Sequence, residues 1–309
     1  MKDDSFRFAR GAVQLHVHRW QPAGAAKAVV QIAHGMAEHG ARYARFASAL
    51  TAQGYAVYAD DHRGHGQSCG EAELGHFAHG EPAGTNGWQK MVEDLVALAE
   101  HLRAEHPGLP LLLVAHSMGT FLTLDALVHH GPSRWDKVVL SGSDAPGGLL
   151  VTAGRQAAKL ERLRLGPEGK SALLEKLSFG AFNDAFKPAR TAFDWLSRDA
   201  AEVDRYVADP RCGFPVSTQS WVELTAALSA IGAAGYRGVR PRTLPIFVLA
   251  GATDPVGKAG AGVKRLVEQL RTAGLTEVEE KLYPGGRHEM LNETNRDEVT
   301  ADVLAVLGR

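Results

Sequence analysis

A mostly parallel, doubly wound α/β sheet with an inserted block of helices is the fold class this sequence predicts. Three observations predict it. Short apolar or alternating runs near 28–33, 55–59, 111–114, 137–142, 244–250 and 277–283 take turns with helix-period segments, the pattern of a sheet covered on both faces. The run Leu111-Leu-Leu-Val114 breaks at once into Ala115-His-Ser117-Met-Gly119, and the helix-like stretch Thr120 to Val128 follows without a loop. Between about 146 and 240 the alternation stops, and no strand pattern occurs.

Along the chain, Ser5–Phe8 and Val13–Trp20 alternate on either side of Gly11, like an antiparallel pair. Residues 28–33 make the next strand. Tyr43 to Gln53 has helix spacing and stops at Gly54. A strand at 55–59 leads into a glycine-rich loop from Asp60 to Gly70. Gly87 to His106 is a long amphipathic helix closed by Pro107-Gly108. The strand before Ser117, its helix to His130 and a strand at 137–142 follow. Leu149 to Leu165 is helical and basic on one face, and an aromatic-dotted stretch comes after it (Phe179, Phe182, Phe186, Phe193, Trp195, Tyr206, Phe214, Trp221). Helices are expected over 259–273 and 292–307. The organisation is therefore a core of residues 1–145 and 241–309 with a helical lid at 146–240. Most of the lid aromatics are expected to build its own small core, and its apolar side to roof Ser117.

The chemistry starts at Ser117. A sharp strand-to-helix turn presents a serine hydroxyl as a nucleophile, and it needs small neighbours; Ala115 and Gly119 supply them. The bland alternative is a serine that only caps a helix. A serine at its free pKa needs a base and a group to orient that base. The order in folds with this turn is serine, then acid, then histidine. Asp254 follows the apolar strand 244–250 in a Gly-x-x-Asp-Pro setting, and His288 follows Glu277–Tyr283 in Gly-Gly-Arg-His. Asp144, past the strand at 137–142, is the rival acid. The oxyanion of an attacked carbonyl needs fixed N–H donors. These are expected from Met118 and from Met36, in the loop His34-Gly-Met-Ala-Glu-His39 after the strand at 28–33. His34 and His39 are read as structural, with His34 ordering that loop. Substrate contacts are expected among His34, Gly35 and His116, and from the lid at Phe179, Phe182 and Trp195.

Three loop motifs, His34-Gly-Met-Ala-Glu-His39, Asp61-His-Arg-Gly-His-Gly-Gln-Ser68 and His116-Ser-Met-Gly119, together resemble the monoacylglycerol lipase and lysophospholipase group of α/β-hydrolases, filed beside the serine aminopeptidases. Trp195-Leu-Ser-Arg-Asp199, Glu202-Val-Asp-Arg-Tyr206 and Asp209-Pro-Arg-Cys212 are similar to that group's lid. The resemblance runs from about residue 28 to the end. It implies an α/β-hydrolase fold, with Ser117 as nucleophile, Asp254 as acid, His288 as base, and Met36 and Met118 as oxyanion donors. It implies hydrolysis of single-chain acyl esters. A peptidase of the same fold and a non-catalytic binder that kept the pocket are the alternatives. An epoxide hydrolase or dehalogenase would need an aspartate where Ser117 stands. The chain departs from the pattern at Ala115, where glycine is usual, and at Met36, whose bulk is expected to narrow the acyl site.

Composition excludes other classes. A formal net charge of −1 over 309 residues leaves no basic footprint for nucleic acid. The two cysteines, Cys69 and Cys212, give neither a disulfide framework nor a metal spacing. His62 with His65, and His76 with His79, have ligand-like spacing but no acidic or cysteine cluster beside them. No metal and no cofactor is expected. No apolar leader and no run of ~20 apolar residues is seen, so a cytoplasmic protein is expected, with transient lipid-surface contact through the lid.

Overall fold

The computed structural model describes residues 4–81 and 83–309; the opening Met1, Lys2 and Asp3 of the charged N-terminus lie outside the described residues. Eight strands form one sheet: β1 (Phe6–Arg10), β2 (Val13–Trp20), β3 (Ala28–Ala33), β4 (Tyr55–Asp60), β5 (Leu111–His116), β6 (Lys137–Ser141), β7 (Ile246–Gly251) and β8 (Val278–Tyr283). Their order is β1-β2-β4-β3-β5-β6-β7-β8. β2 runs antiparallel to both β1 and β4, and every other pairing is parallel.

The helices are α1 (Ala44–Ala52), α2 (Gly87–Glu105) and α3 (Met118–His129). Between β6 and β7 come α4 (Leu149–Leu165), α5 (Ala172–Glu175), α6 (Ala181–Asn183), α7 (Ala200–Ala208) and α8 (Thr218–Ala234), and then α9 (Ala261–Thr272) and α10 (Arg296–Leu307) close the chain. The near-continuous apolar runs are explained by burial on two faces. Val30, Ile32, Val57, Leu112, Val114, Val139, Phe247 and Leu249 meet α1 and α10. Their neighbours Val29, Leu111, Leu113, Val138, Leu140, Ile246 and Val248 meet α2, α3 and α9. Each fully buried Val, Leu or Ile contributes roughly 1.5–3 kcal/mol, so period-two alternation between two covered faces fixes the register.

Three local differences from the sequence reading have physical causes. The helix expected from 259 begins at Ala261, because Lys258 and Ala259 take φ +50° and +52°, outside the right-handed helical region. The helix expected from 292 begins at Arg296. The Glu293 carboxylate accepts the N–H groups of Arg198, Arg287 and Thr294, which holds a turn there. Finally, α8 lies within the region read as lid, yet its Trp221, Leu224, Ala227 and Ile231 belong to the main core. It packs on α2, α3 and α4 and anchors the insertion to the sheet.

Candidate active site

The carboxyl ends of the parallel strands converge on one edge, where open α/β sheets place their sites. Ser117 follows β5, Met36 the end of β3, Asp254 that of β7 and His288 that of β8. Ser117 takes φ +49° and ψ −118°, a conformation a non-glycine residue holds only at a cost of about 1–3 kcal/mol. The surrounding bonds impose it. Its N–H donates to the Ser141 carbonyl at 2.9 Å, and its own carbonyl accepts the Thr120 N–H and hydroxyl at 2.9 and 2.7 Å. Gly119 is obligatory for packing. A Cβ there would stand 2.3 Å from the Ala33 carbonyl oxygen and 2.7 Å from that of His34. The end of β3 can therefore lie directly over the start of α3.

His288 and Asp254 form a buried pair. The imidazole Nδ1 lies 3.0 and 3.1 Å from the two carboxylate oxygens, with 2 % and 0 % of the two side chains exposed. One Asp254 oxygen also accepts the Val256 N–H at 2.9 Å. Asp144 is not the partner. It ion-pairs with Lys258 at 2.6 Å and accepts the Ala145 N–H at 2.8 Å. Of the two acids the sequence left in competition, the structure brings Asp254 to His288. The His116 ring sits 4.7 Å from the His288 ring. A Cβ on Gly142, which has φ +66°, would lie 2.9 Å from His288 Cε1 and 3.1 Å from His116 Cε1. The residue next to Ser117 thus touches the space His288 occupies. Among the described residues no hydrogen bond joins the Ser117 hydroxyl to His288. Such bonds are often long in a resting site and tighten with substrate.

The loop after β3 is held from behind. His34 Nε2 accepts the His62 N–H at 2.9 Å, so Nδ1 carries the proton and donates to the Gly35 carbonyl at 2.7 Å. Fixing that carbonyl points the Met36 N–H of the same peptide the opposite way. His34 is wholly buried and both ring nitrogens are engaged, so it shapes the loop. Among the described residues neither the Met36 nor the Met118 N–H has an acceptor. The Met36 side chain packs with Ala37, Leu74 and Phe214. His62 is paired with Asp60 at 2.8 Å, His65 bonds the Arg63 carbonyl and His76 faces the Ser217 hydroxyl.

The insertion covers this edge. Trp195 packs against His288 with its ring tilted by 37° and 5.0 Å between ring centroids, and Phe182 and Phe179 lie 5.1 and 5.9 Å from Trp195. The backbone N–H of His288 donates to the Trp195 carbonyl at 3.3 Å. The direct contact of Trp195 with the imidazole was not readable from spacing. His39, read as structural, pairs with Asp209 at 2.9 Å and ties the loop after β3 to the insertion. Its Nε2, an Asp209 oxygen and Cys212 Sγ lie within 4.8 Å of one another. Arg42, Arg45 and Arg205 line the adjoining cleft beside Glu202 and Asp209, and burial pushes the Cys212 thiol up, away from the thiolate a metal would need.

Electrostatics separates the histidines. Burial alone would depress the His288 imidazole, but the charge and hydrogen bond of Asp254 outweigh it, with Glu289 and Glu38 adding to the rise. Burial, then the charge of His288, lowers His116 to about 4. Burial also holds His34 well below the usual imidazole range. When one ring in this group takes a proton, it is therefore His288. A base must be neutral to act, so kcat/KM is expected to fall on the acid side with a midpoint above 6.5, the ordinary imidazole value. A pH profile between 5 and 9, with buffers overlapped, checks this; a midpoint at or below the ordinary value contradicts it.

The sheet order, the strained serine turn and the covering helices define an α/β-hydrolase. Residues 24–295 match the family described as serine aminopeptidase, S33, and the chain belongs to that family. It is similar to the monoacylglycerol lipase of Mycolicibacterium smegmatis, at 30% identity over 300 residues, covering 96% of this chain and 93% of that protein. It is also similar to the monoglyceride lipase of Rattus norvegicus, at 29% identity over 94% of this chain and 84% of the relative. A solved thermostable carboxyl esterase from Bacillus coagulans superposes with a TM-score of 0.85 at 25% identity, covering 100% and 98% of the two chains.

Proposed function

We propose that the chain is a serine carboxylic ester hydrolase acting on single-chain acyl esters of the monoacylglycerol or lysophospholipid kind. The observation that carries the reading is the meeting, at one sheet edge, of a serine held at φ +49° with a buried His288–Asp254 pair. His288 takes the proton as Ser117 attacks the ester carbonyl. The N–H groups of Met36 and Met118 receive the oxyanion. Asp254 keeps the proton of the neutral ring on Nδ1 and stabilises the cation that forms. The alcohol leaves with the proton from His288, and water repeats the steps on the acyl-enzyme.

The substrate class is supported by the lipases this chain resembles and by the aromatic roof. Trp195, Phe179 and Phe182 set an apolar wall against the imidazole, suited to an acyl chain. Residues 146–240 then act as a lid. The outer face of α4 exposes Leu149, Leu150, Leu160 and Leu163 beside Arg155, Lys159, Arg162 and Arg164. That mixture fits brief contact with an anionic lipid surface. Among the described residues no helix is long and apolar enough to cross a membrane.

The test is kcat/KM across a chain-length series of monoacylglycerols, lysophospholipids, short esters and aminoacyl amides, in solution and on anionic vesicles. Single-chain esters should exceed the amides by at least 10²-fold. Leu149→Ser with Leu150→Ser should lower only the rate on vesicles. The family description favours amide cleavage as the second reading, and a preference for aminoacyl amides would put it first.

A further inference from the structure

We propose that Glu38, Arg42 and Glu289 form a buried clamp that positions the loop carrying Met36 against the loop carrying His288. The inference rests on the reading of Ser117, His288 and Met36 given above and assigns it three positioning residues. Arg42 donates from Nη1 and Nη2 to the two oxygens of Glu289, both at 2.7 Å, and from Nη1 to Glu38 as well. The other Glu38 oxygen accepts the Gly35 N–H at 2.6 Å and the Tyr43 hydroxyl at 2.9 Å. Glu289 follows His288 directly, and its N–H donates to the Leu196 carbonyl at 2.8 Å. The Arg42 guanidinium also lies 4.8 Å over the Tyr206 ring, whose hydroxyl donates to the Ala37 carbonyl. All three charged side chains are nearly out of water, at 4, 11 and 6 % exposure for Glu38, Arg42 and Glu289.

Topology gives the clamp its purpose. β3 and β8 are separated by β5, β6 and β7 in the sheet, so no ladder of backbone bonds sets the relation between the loops that follow them. A planar guanidinium gripping one carboxylate bidentately and a second one beside it fixes both distance and angle. Stability is a poor explanation for the arrangement. Two carboxylates on one cation leave a net negative charge in a dry place, where desolvation offsets the attraction. The Gly35 N–H bond shows where the order is delivered: Glu38 holds the residue whose carbonyl is paired with the Met36 N–H in one peptide.

The clamp also sets charge beside the imidazole. The charged and titratable groups facing His288 are Asp254 from the β7 loop, His116 from the end of β5, Glu38 from the β3 loop, and its neighbour Glu289; Arg42 acts through the two glutamates it pairs with. The insertion contributes Trp195, which carries no charge. Glu289→Gln removes a negative charge and should move the acid limb of kcat/KM to lower pH. Arg42→Met takes away the charge that holds Glu289 ionised against burial, so this variant is read for its loss of kcat, which should be at least that of Arg42→Lys. The shift in Glu289→Gln is expected to be roughly half a unit. Arg42→Lys keeps the charge but loses the fork. Its limb should stay put, while kcat falls about 10–10²-fold with KM within about threefold, the cost of a misplaced donor.

The experiment measures pH profiles for the full chain and these three variants, with rates normalised to the sites that react with a fluorophosphonate. A shift of the limb to lower pH in Glu289→Gln, or the kcat loss in Arg42→Lys, supports the clamp. Wild-type kcat per reactive site with an unmoved limb in every variant that folds overturns it. Should Arg42→Met not fold, Glu289→Gln and Arg42→Lys decide alone, backed by NMR titration of the His288 ring in Glu289→Gln. A wild type that does not react at Ser117 overturns the underlying reading instead.

Discussion

Ser117→Ala should lower kcat by about 10⁶-fold, with the fold intact. The size follows from what the hydroxyl does and what its loss leaves behind. Without it no acyl-enzyme forms, and the remaining rate comes from the donors at Met36 and Met118 acting on a direct attack by water. The fold should survive because alanine keeps the Cβ, and so keeps the backbone at φ +49° under the same Ser141 and Thr120 bonds. Removing a half-buried hydroxyl from a strained turn should leave the melting temperature within about 2 °C or raise it. Turnover of a soluble ester, with circular dichroism on the same sample, measures both. Less than a 10³-fold loss would mean that another group attacks the carbonyl.

The second large effect separates the two acids. Asp254→Asn should reduce kcat by about 10⁴-fold, because an amide can donate to His288 Nδ1 and so stabilise the wrong tautomer, with the proton on Nε2 facing Ser117. It also removes the charge that raises the His288 imidazole. Asp144→Asn should stay within a few-fold of wild type, since its carboxylate is engaged with Lys258 and the Ala145 N–H. Parallel kinetics on the two variants decide. Equal losses, or a greater loss at Asp144, would remove Asp254 from the mechanism.

Much of this is legible in the amino-acid sequence. The apolar runs of β3, β5, β6 and β7 read as strands because both faces of the sheet are covered. Ser117 stood out because a strand cannot turn into a helix in one residue without small neighbours. Chain order and their places just past strands single out Asp254 and His288, which the structure brings together as a pair. What was hidden was contact between distant side chains. Arg42 and Glu289 are 247 positions apart, and no periodicity joins them. Glu38 stood in the quoted loop motif, but its bond to the Gly35 N–H depends on the loop's path. The contact of Trp195 with His288 likewise depends on how the insertion folds back. α9 and α10 start later than their apolar patterns predict, because turns at Lys258 and Glu293 interrupt patterns that continue through them. The role of α8 was missed because its apolar face serves the sheet's own core while its neighbours in sequence do not.

The central claim is that Ser117 is a nucleophile activated by His288. A fluorophosphonate probe tests it directly, with the adduct located by peptide mass mapping and its rate of formation followed from pH 5 to 9. One phosphonyl group on Ser117, forming more slowly as His288 gains its proton and at least 10²-fold more slowly in His288→Ala, is the predicted result. An adduct on any other residue, or reaction of His288→Ala at the wild-type rate, would contradict it.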